Sequence, residues 1–139
     1  MNMNLILAIN LASEALAKNH NGKAMVLVVD DDIRILNFIR LRLRLAGYNV
    51  ITATDGEEAL KLIDSKKPSI MLLDVVMAPM DGFEVLRRLR MVSELPVIAM
   101  SAHSSTAAEA ISLGASDFMS KPFQPDELVK RIKVLLNTR

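Results

Sequence analysis

The chain has 139 residues, 51% of them apolar, and its 17 lysines and arginines nearly balance 16 acids to leave a formal charge of +1. Such a length suits one domain that buries roughly 70% of the surface its unfolded form exposes. With one Tyr, no Trp and no Cys, disulfides are excluded, an aliphatic core and a cytoplasmic setting are expected, and no concentrated basic surface suggests nucleic-acid binding.

Residues 1–24 stand apart. Leu5, Ile9, Ala12 and Leu16 share one helical face, and Asn19-His20-Asn21-Gly22 reads as a helix stop and linker. The apolar stretch is too short and too polar to span a membrane, and it lacks the basic start of a secretory signal. It is either a helical extension that docks on the domain or on a second copy, or a leader foreign to the domain. The expected division is thus an extension over 1–24 and a single domain over 25–139.

From Met25 onward, short apolar runs alternate with helical periodicity, the pattern of βαβ units around a parallel sheet. Strands are predicted near 25–29, 48–52, 69–73, 96–100 and 116–119, with helices near 33–46, 56–66, 82–92, 104–113 and 125–137. Arg34, Arg40, Arg42 and Arg44 alternate with Ile35, Phe38, Ile39, Leu41 and Leu45, which predicts an amphipathic first helix with solvated arginines. Gly47 and Gly114 stand where helix C-terminal caps are wanted, and Asp55-Gly56-Glu57-Glu58 reads as a helix start. Pro125-Asp126-Glu127 opens the last helix, whose Leu128, Ile132 and Leu135 form a core-facing stripe.

The chemistry-bearing residues fall at strand ends. Met25-Val26-Leu27-Val28-Val29 runs into Asp30-Asp31-Asp32, Ile70-Met71-Leu72-Leu73 into Asp74, Pro96-Val97-Ile98-Ala99-Met100 into Ser101, and Ser116-Asp117-Phe118-Met119-Ser120 into Lys121. In an open parallel sheet the strands' carboxyl ends share one edge, so carboxylates, hydroxyl and lysine converge there. Consecutive carboxylates at the end of a buried strand call for a hard divalent cation as counter-charge, and Mg²⁺ is expected. Aspartate runs also cap helices, and Asp32 is assigned that role at the start of the first helix.

Val26-Leu27-Val28-Val29-Asp30-Asp31, Leu72-Leu73-Asp74, Met80-Asp81-Gly82, Pro96-Val97-Ile98 with Ser101-Ala102, and Lys121-Pro122-Phe123 together resemble the receiver domain of two-component response regulators over about 25–137. The resemblance implies a flavodoxin-like (βα)₅ three-layer sandwich with a parallel sheet of order 2-1-3-4-5. It implies a phosphorylation-activated signalling switch rather than an enzyme. Asp74 would accept a phosphoryl group from a sensor histidine kinase, with Ser101 and Lys121 contacting that group. Mg²⁺ would be held by Asp31 directly, by Asp30 through water, by Asp74 and by the backbone carbonyl of Val76. Ser101 and Phe118 would form the switch, reporting through helix 4, strand 5 and helix 5 to a downstream effector protein or to an effector domain absent from this chain. Asp117, Glu127 and Arg131 match residues of a homodimer interface on that face, and the bond before Pro122 is a candidate cis peptide.

Several positions depart from the pattern. Ala78 stands where a proline four residues after the phosphoacceptor is common, and Pro79 follows it. The span from Ser101 to Gly114 is two residues shorter than usual, so helix 4 or its leading loop is expected to be truncated. An apolar Val76, with His103 near the switch hydroxyl, predicts slow loss of the phosphoryl group. Two competing functions remain at this point: an aspartate-based phosphohydrolase, because Asp30 and Asp32 form an Asp-x-Asp pattern after a strand, and a degenerate receiver that acts as an unphosphorylated scaffold.

Overall fold

A computed structural model describes residues 3–8 and 23–138. Residues 3–8 are helical, with Leu5 exposed; Ile9, Ala12 and Leu16 of the expected face, and the stop at 19–22, lie outside the described residues. The domain then runs β1 (Met25–Val29), α1 (Ile33–Leu45), β2 (Asn49–Ala53), α2 (Gly56–Lys66), β3 (Ile70–Asp74), α3 (Gly82–Arg90), β4 (Val97–Ser101), a 3₁₀ turn (Ser104–Thr106), α4 (Ala107–Ser112), β5 (Asp117–Ser120) and α5 (Pro125–Asn137). The strands form one parallel sheet in the order β2-β1-β3-β4-β5. This is the flavodoxin-like arrangement, whose strand order reverses between β1 and β3.

Side chains alternate across each strand, and the alternation sorts the core into two layers. Leu27, Val29, Met71, Leu73, Val97 and Ala99 face α2, α3 and α4, meeting Ala59, Val85, Leu86, Leu89 and Ala110. Val26, Val28, Ile70, Leu72, Ile98 and Met100 face the other way, onto Leu36, Ile39 and Leu43 of α1 and Leu128 and Ile132 of α5. The central strands are apolar without interruption because both of their faces are covered.

In α1 the buried stripe differs from the expected one. Leu36, Ile39 and Leu43, spaced by three and four, face the sheet, while Phe38 and Leu45 are 51% and 50% exposed on the far side. A helix with apolar residues on nearly every face leaves the choice of buried side to tertiary packing.

Helix ends follow local chemistry. Asp32, Asp55 and Asp81 each cap a helix start, accepting from the N–H of Arg34, Glu58 and Glu84 respectively. Gly47 and Gly114 adopt φ of +101° and +104°, as their positions demand. The Lys121-Pro122 bond is cis, as is Ala78-Pro79.

Gly82 sets how closely α3 approaches the end of β3. Its N–H donates to the Val75 carbonyl at 3.0 Å, and a Cβ placed there would lie 2.5 Å from the Asp74 carbonyl oxygen and from Val75 Cα. Both are backbone atoms, so no side-chain rotation relieves the overlap. Gly82→Ala should therefore cost roughly 2 kcal/mol in urea unfolding although alanine is the better helix former. An unchanged midpoint would show that the α3–β3 packing is looser than described.

Candidate functional site

Four strand ends build the site. Among the described residues, Asp30, Asp74 and Ser101 are the buried polar side chains, at 1%, 5% and 1% exposure. All three lie at the carboxyl edge of the central strands, where the hydrophobic run of each strand carries them out of water. Asp31 follows β1 and is exposed.

Lys121 joins the two buried carboxylates. Its Nζ donates to Asp30 Oδ2 at 2.6 Å and lies 3.3 Å from Asp74 Oδ2. The remaining oxygens are held by backbone: the Asp32 N–H donates to Asp30 Oδ1 at 2.9 Å, and the Val76 N–H to Asp74 Oδ1 at 3.0 Å. Oxygens of Asp30, Asp31 and Asp74 approach within 4.8 Å of one another, a hard-oxygen cluster of the kind that suits Mg²⁺ or a similar cation.

The charges perturb one another. Burial pushes the Asp74 carboxyl above its ordinary value and the Asp30 charge adds to this, with the Val76 N–H and Lys121 opposing. Burial alone would lower the Lys121 ammonium, but its hydrogen bond to Asp30 and the charges of both carboxylates outweigh this and raise it.

Ser101 occupies the end of β4, and its neighbours differ from those of the acids. The Ser101 Oγ accepts from the His103 N–H at 2.9 Å, and its carbonyl accepts from the Lys121 N–H at 2.8 Å. The first bond ties the hydroxyl to the loop that leads into α4; the second ties the strand end to the lysine.

Phe118 is half-buried and packs against the core layer that holds α4. Asp117, Glu127 and Arg131 form a cluster of their own within one chain: Arg131 Nη1 lies 3.2 Å from Asp117 Oδ1 and donates to the Phe118 carbonyl at 2.9 Å, while Nε donates to Glu127 Oε1 at 3.1 Å. Gly82 received no role from sequence, yet it fixes the backbone that carries Asp74. A glycine directly after the helix-capping Asp81 is the signal that could have found it.

The family model of the response regulator receiver domain matches residues 26–133. The chain belongs to this family. A Cyanophora paradoxa protein named as a transcriptional regulator, ycf27, is 43% identical over 117 residues, 83% of this chain and 49% of that protein. The Bacillus subtilis alkaline phosphatase synthesis transcriptional regulatory protein PhoP is 40% identical, over 80% of this chain and 48% of its own. The receiver domain spans about half the length of these curated relatives. Among solved structures, the receiver domain of the Francisella response regulator 1452 superposes with a TM-score of 0.79 at 34% identity, covering 84% of this chain and 98% of that one. These likenesses establish a response regulator receiver domain of two-component systems with a CheY-like fold. No helix among the described residues is long and apolar enough to cross a membrane.

The raised Asp74 pKa carries a sign for stability. A carboxyl that holds its proton more tightly folded than unfolded opposes folding once it ionises; the penalty is absent below the ordinary carboxylate range and grows as pH rises towards the raised value. Asp74→Asn removes the penalty. In Mg²⁺-free buffer at neutral pH the variant should melt a few degrees above wild type, and the gap should close as the pH is lowered through the ordinary carboxylate range. Equal melting points at neutral pH would contradict this account.

Proposed function

We propose that this receiver domain is a phosphorylation-activated switch in which Asp74 takes a phosphoryl group from a phosphohistidine of a sensor kinase. An oxygen of Asp74 forms the new O–P bond as the N–P bond to the donor imidazole breaks, and the imidazole keeps the bonding electron pair. The convergence of Asp30, Asp31, Asp74 and Lys121, with Asp74 near the lysine ammonium, carries this reading. Phosphoryl transfer asks for positioning and charge neutralisation more than for a strong base, and a carboxylate fixed by Val76 and Lys121 supplies the positioned nucleophile.

Asp30, Asp31 and Asp74, with the Val76 carbonyl, would hold Mg²⁺, which supplies Lewis-acid neutralisation of phosphoryl oxygens when bound. Lys121 adds ammonium donors to the same oxygens, and Ser101, whose Oγ accepts the His103 N–H, has its own O–H to donate to them if its side chain moves closer. Movement of Ser101 would let Phe118 repack, altering the α4–β5–α5 face for a partner. Asp117, Glu127 and Arg131 lie on that face, where a homodimer contact would have to compete with their bonds inside one chain. Beside the site, Ile35, Phe38, Ile39, Ala102, Lys121, Pro122 and Phe123 line an apolar cavity of about 290 Å³. It gives a kinase's apolar side chains a seat next to the acceptor.

The phosphohydrolase alternative needs the Asp32 carboxylate in the site. Instead, Asp32 Oδ1 accepts from the Arg34 N–H at 2.9 Å and Oδ2 pairs with the Arg34 guanidinium at 3.3 Å. A helix cap is the better account of it.

Incubation with acetyl phosphate and Mg²⁺, read by intact mass, tests the proposal. Wild type should gain one acid-stable, base-labile phosphoryl group and Asp74→Asn none; no gain by wild type would favour the scaffold reading. Half-exposed and apolar, Val76 offers no group to orient an attacking water. The phosphoryl group should therefore persist for minutes or longer, and decay within seconds would refute this.

A further inference from the structure

The two ends of α4 are held by different means. At its leading end the 3₁₀ turn and the helix carry no side-chain cap. The Thr106 hydroxyl donates only to the His103 carbonyl nearby, and the His103 N–H to Ser101 Oγ. The start of α4 is therefore connected to the phosphorylation site through the switch hydroxyl, and a Ser101 side chain that swings towards a phosphoryl group to donate its O–H pulls on this bond or breaks it.

The trailing end is fastened to other parts of the fold. Arg90, the last residue of α3, donates from Nε and Nη2 to the Gly114 carbonyl at 3.0 and 2.9 Å, and from Nη1 to the Ser93 carbonyl at 3.2 Å. Gly114 admits this approach: a Cβ there would lie 2.9 Å from Arg90 Nε, and φ is +104°. The next residues are pinned as well, Ser116 donating its N–H to the Val97 carbonyl at 2.8 Å and accepting the Val97 N–H on Oγ at 3.1 Å. Helix α4 has no basic residue in its last turn, so the Arg90 guanidinium also supplies the cation that its carbonyl end favours.

We infer that Arg90 is a positioning residue that anchors the C-terminal end of α4, so that phosphorylation of Asp74 moves this helix as a lever hinged at Gly114 rather than displacing it whole. This rests on the proposed phosphorylation switch and assigns its hinge. Three bonds from a planar guanidinium to two carbonyls fix an orientation that a single-donor ammonium cannot. Helix α3 links the two ends, since it begins at Gly82 against the Asp74 backbone and finishes at Arg90. The hinge is thereby fixed relative to the site that drives the motion.

Amide hydrogen exchange on the full chain, before and after acetyl phosphate with Mg²⁺, tests the hinge, with phosphoryl uptake read by intact mass in the same samples. Phosphorylated wild type should exchange faster over 102–107 while 112–116 stays protected. In unmodified Arg90→Ala, exchange over 112–116 should rise about tenfold with β4 unchanged, and phosphorylation should loosen both ends. Arg90→Lys keeps the stem and charge without the fork; it should shift in the same direction and keeps the test readable if the alanine variant does not fold. Equal loosening of both ends in phosphorylated wild type would overturn the hinge. So would a uniform rise across the whole chain in the variants, the mark of a merely structural arginine. Absence of phosphoryl uptake by wild type would instead sink the switch reading, and the anchor would then be decided by the unmodified pair, where exchange over 112–116 equal to wild type refutes it.

Discussion

The bond from Lys121 to Asp30 at 2.6 Å, with Asp74 at 3.3 Å from the same ammonium, is the interaction around which this domain is organised. Two carboxylates with almost no exposure would repel each other strongly in a medium less polar than water. One cation between them, with backbone N–H groups on their outer oxygens, makes the arrangement tolerable, and Asp31 beside them leaves the cluster rich in negative charge. Such a site attracts positive charge, and in the proposed function that neutralisation is what lets a phosphoryl group approach a carboxylate. The raised Asp74 pKa reflects first its burial and then the neighbouring Asp30 charge, with the Val76 N–H and Lys121 opposing.

The parallel topology makes that concentration of charge possible. β1 and β3 are neighbours although α1, β2 and α2 separate them in sequence, so Asp30 and Asp74 leave the sheet side by side. β4 and β5 extend the same edge, delivering Ser101 and then Lys121, and the Lys121 N–H on the Ser101 carbonyl keeps those two strand ends in step. The aliphatic layers on the two faces of this sheet hold its strand ends along one edge, where four of them supply the site. The stability of the core is thus spent on placing four polar side chains.

Much of this was readable in the residues because a parallel strand covered on both faces must be apolar throughout and must then stop. Val26 to Val29, Ile70 to Leu73 and Val97 to Met100 announce both the strands and the positions of Asp30, Asp74 and Ser101 that end them. The Asp81 cap emerges only from the structure, whereas helix starts at Asp32 and Asp55 were legible because a capping carboxylate acts within three residues. What depended on distant neighbours was not. Apolar residues surround α1, so nothing local selects Leu36, Ile39 and Leu43 over Phe38 and Leu45. Lys67 ends α2 in the left-handed region at φ 49°, where a glycine would have been the usual signal. The consequence of Gly82 appears only when α3 is laid against Asp74, and Arg90 looks like any charged residue in the last turn of a helix until Gly114 comes beneath it.

In the proposed switch, helix α4 is held so that one end moves before the other. A truncated helix of six residues, Ala107–Ser112, cannot rely on its own hydrogen bonds for rigidity. Its position is set from outside, at one end by the Ser101 hydroxyl and at the other by Arg90 and Ser116. The first tether is a single neutral hydrogen bond to a side chain that the proposed switch moves, whereas the second is charge-assisted, forked and remote from Asp74. When Ser101 is drawn towards a phosphoryl group, the weaker tether yields first. The direction of the response is therefore encoded in the difference between the tethers, with no need for the shortened helix to transmit strain along its length.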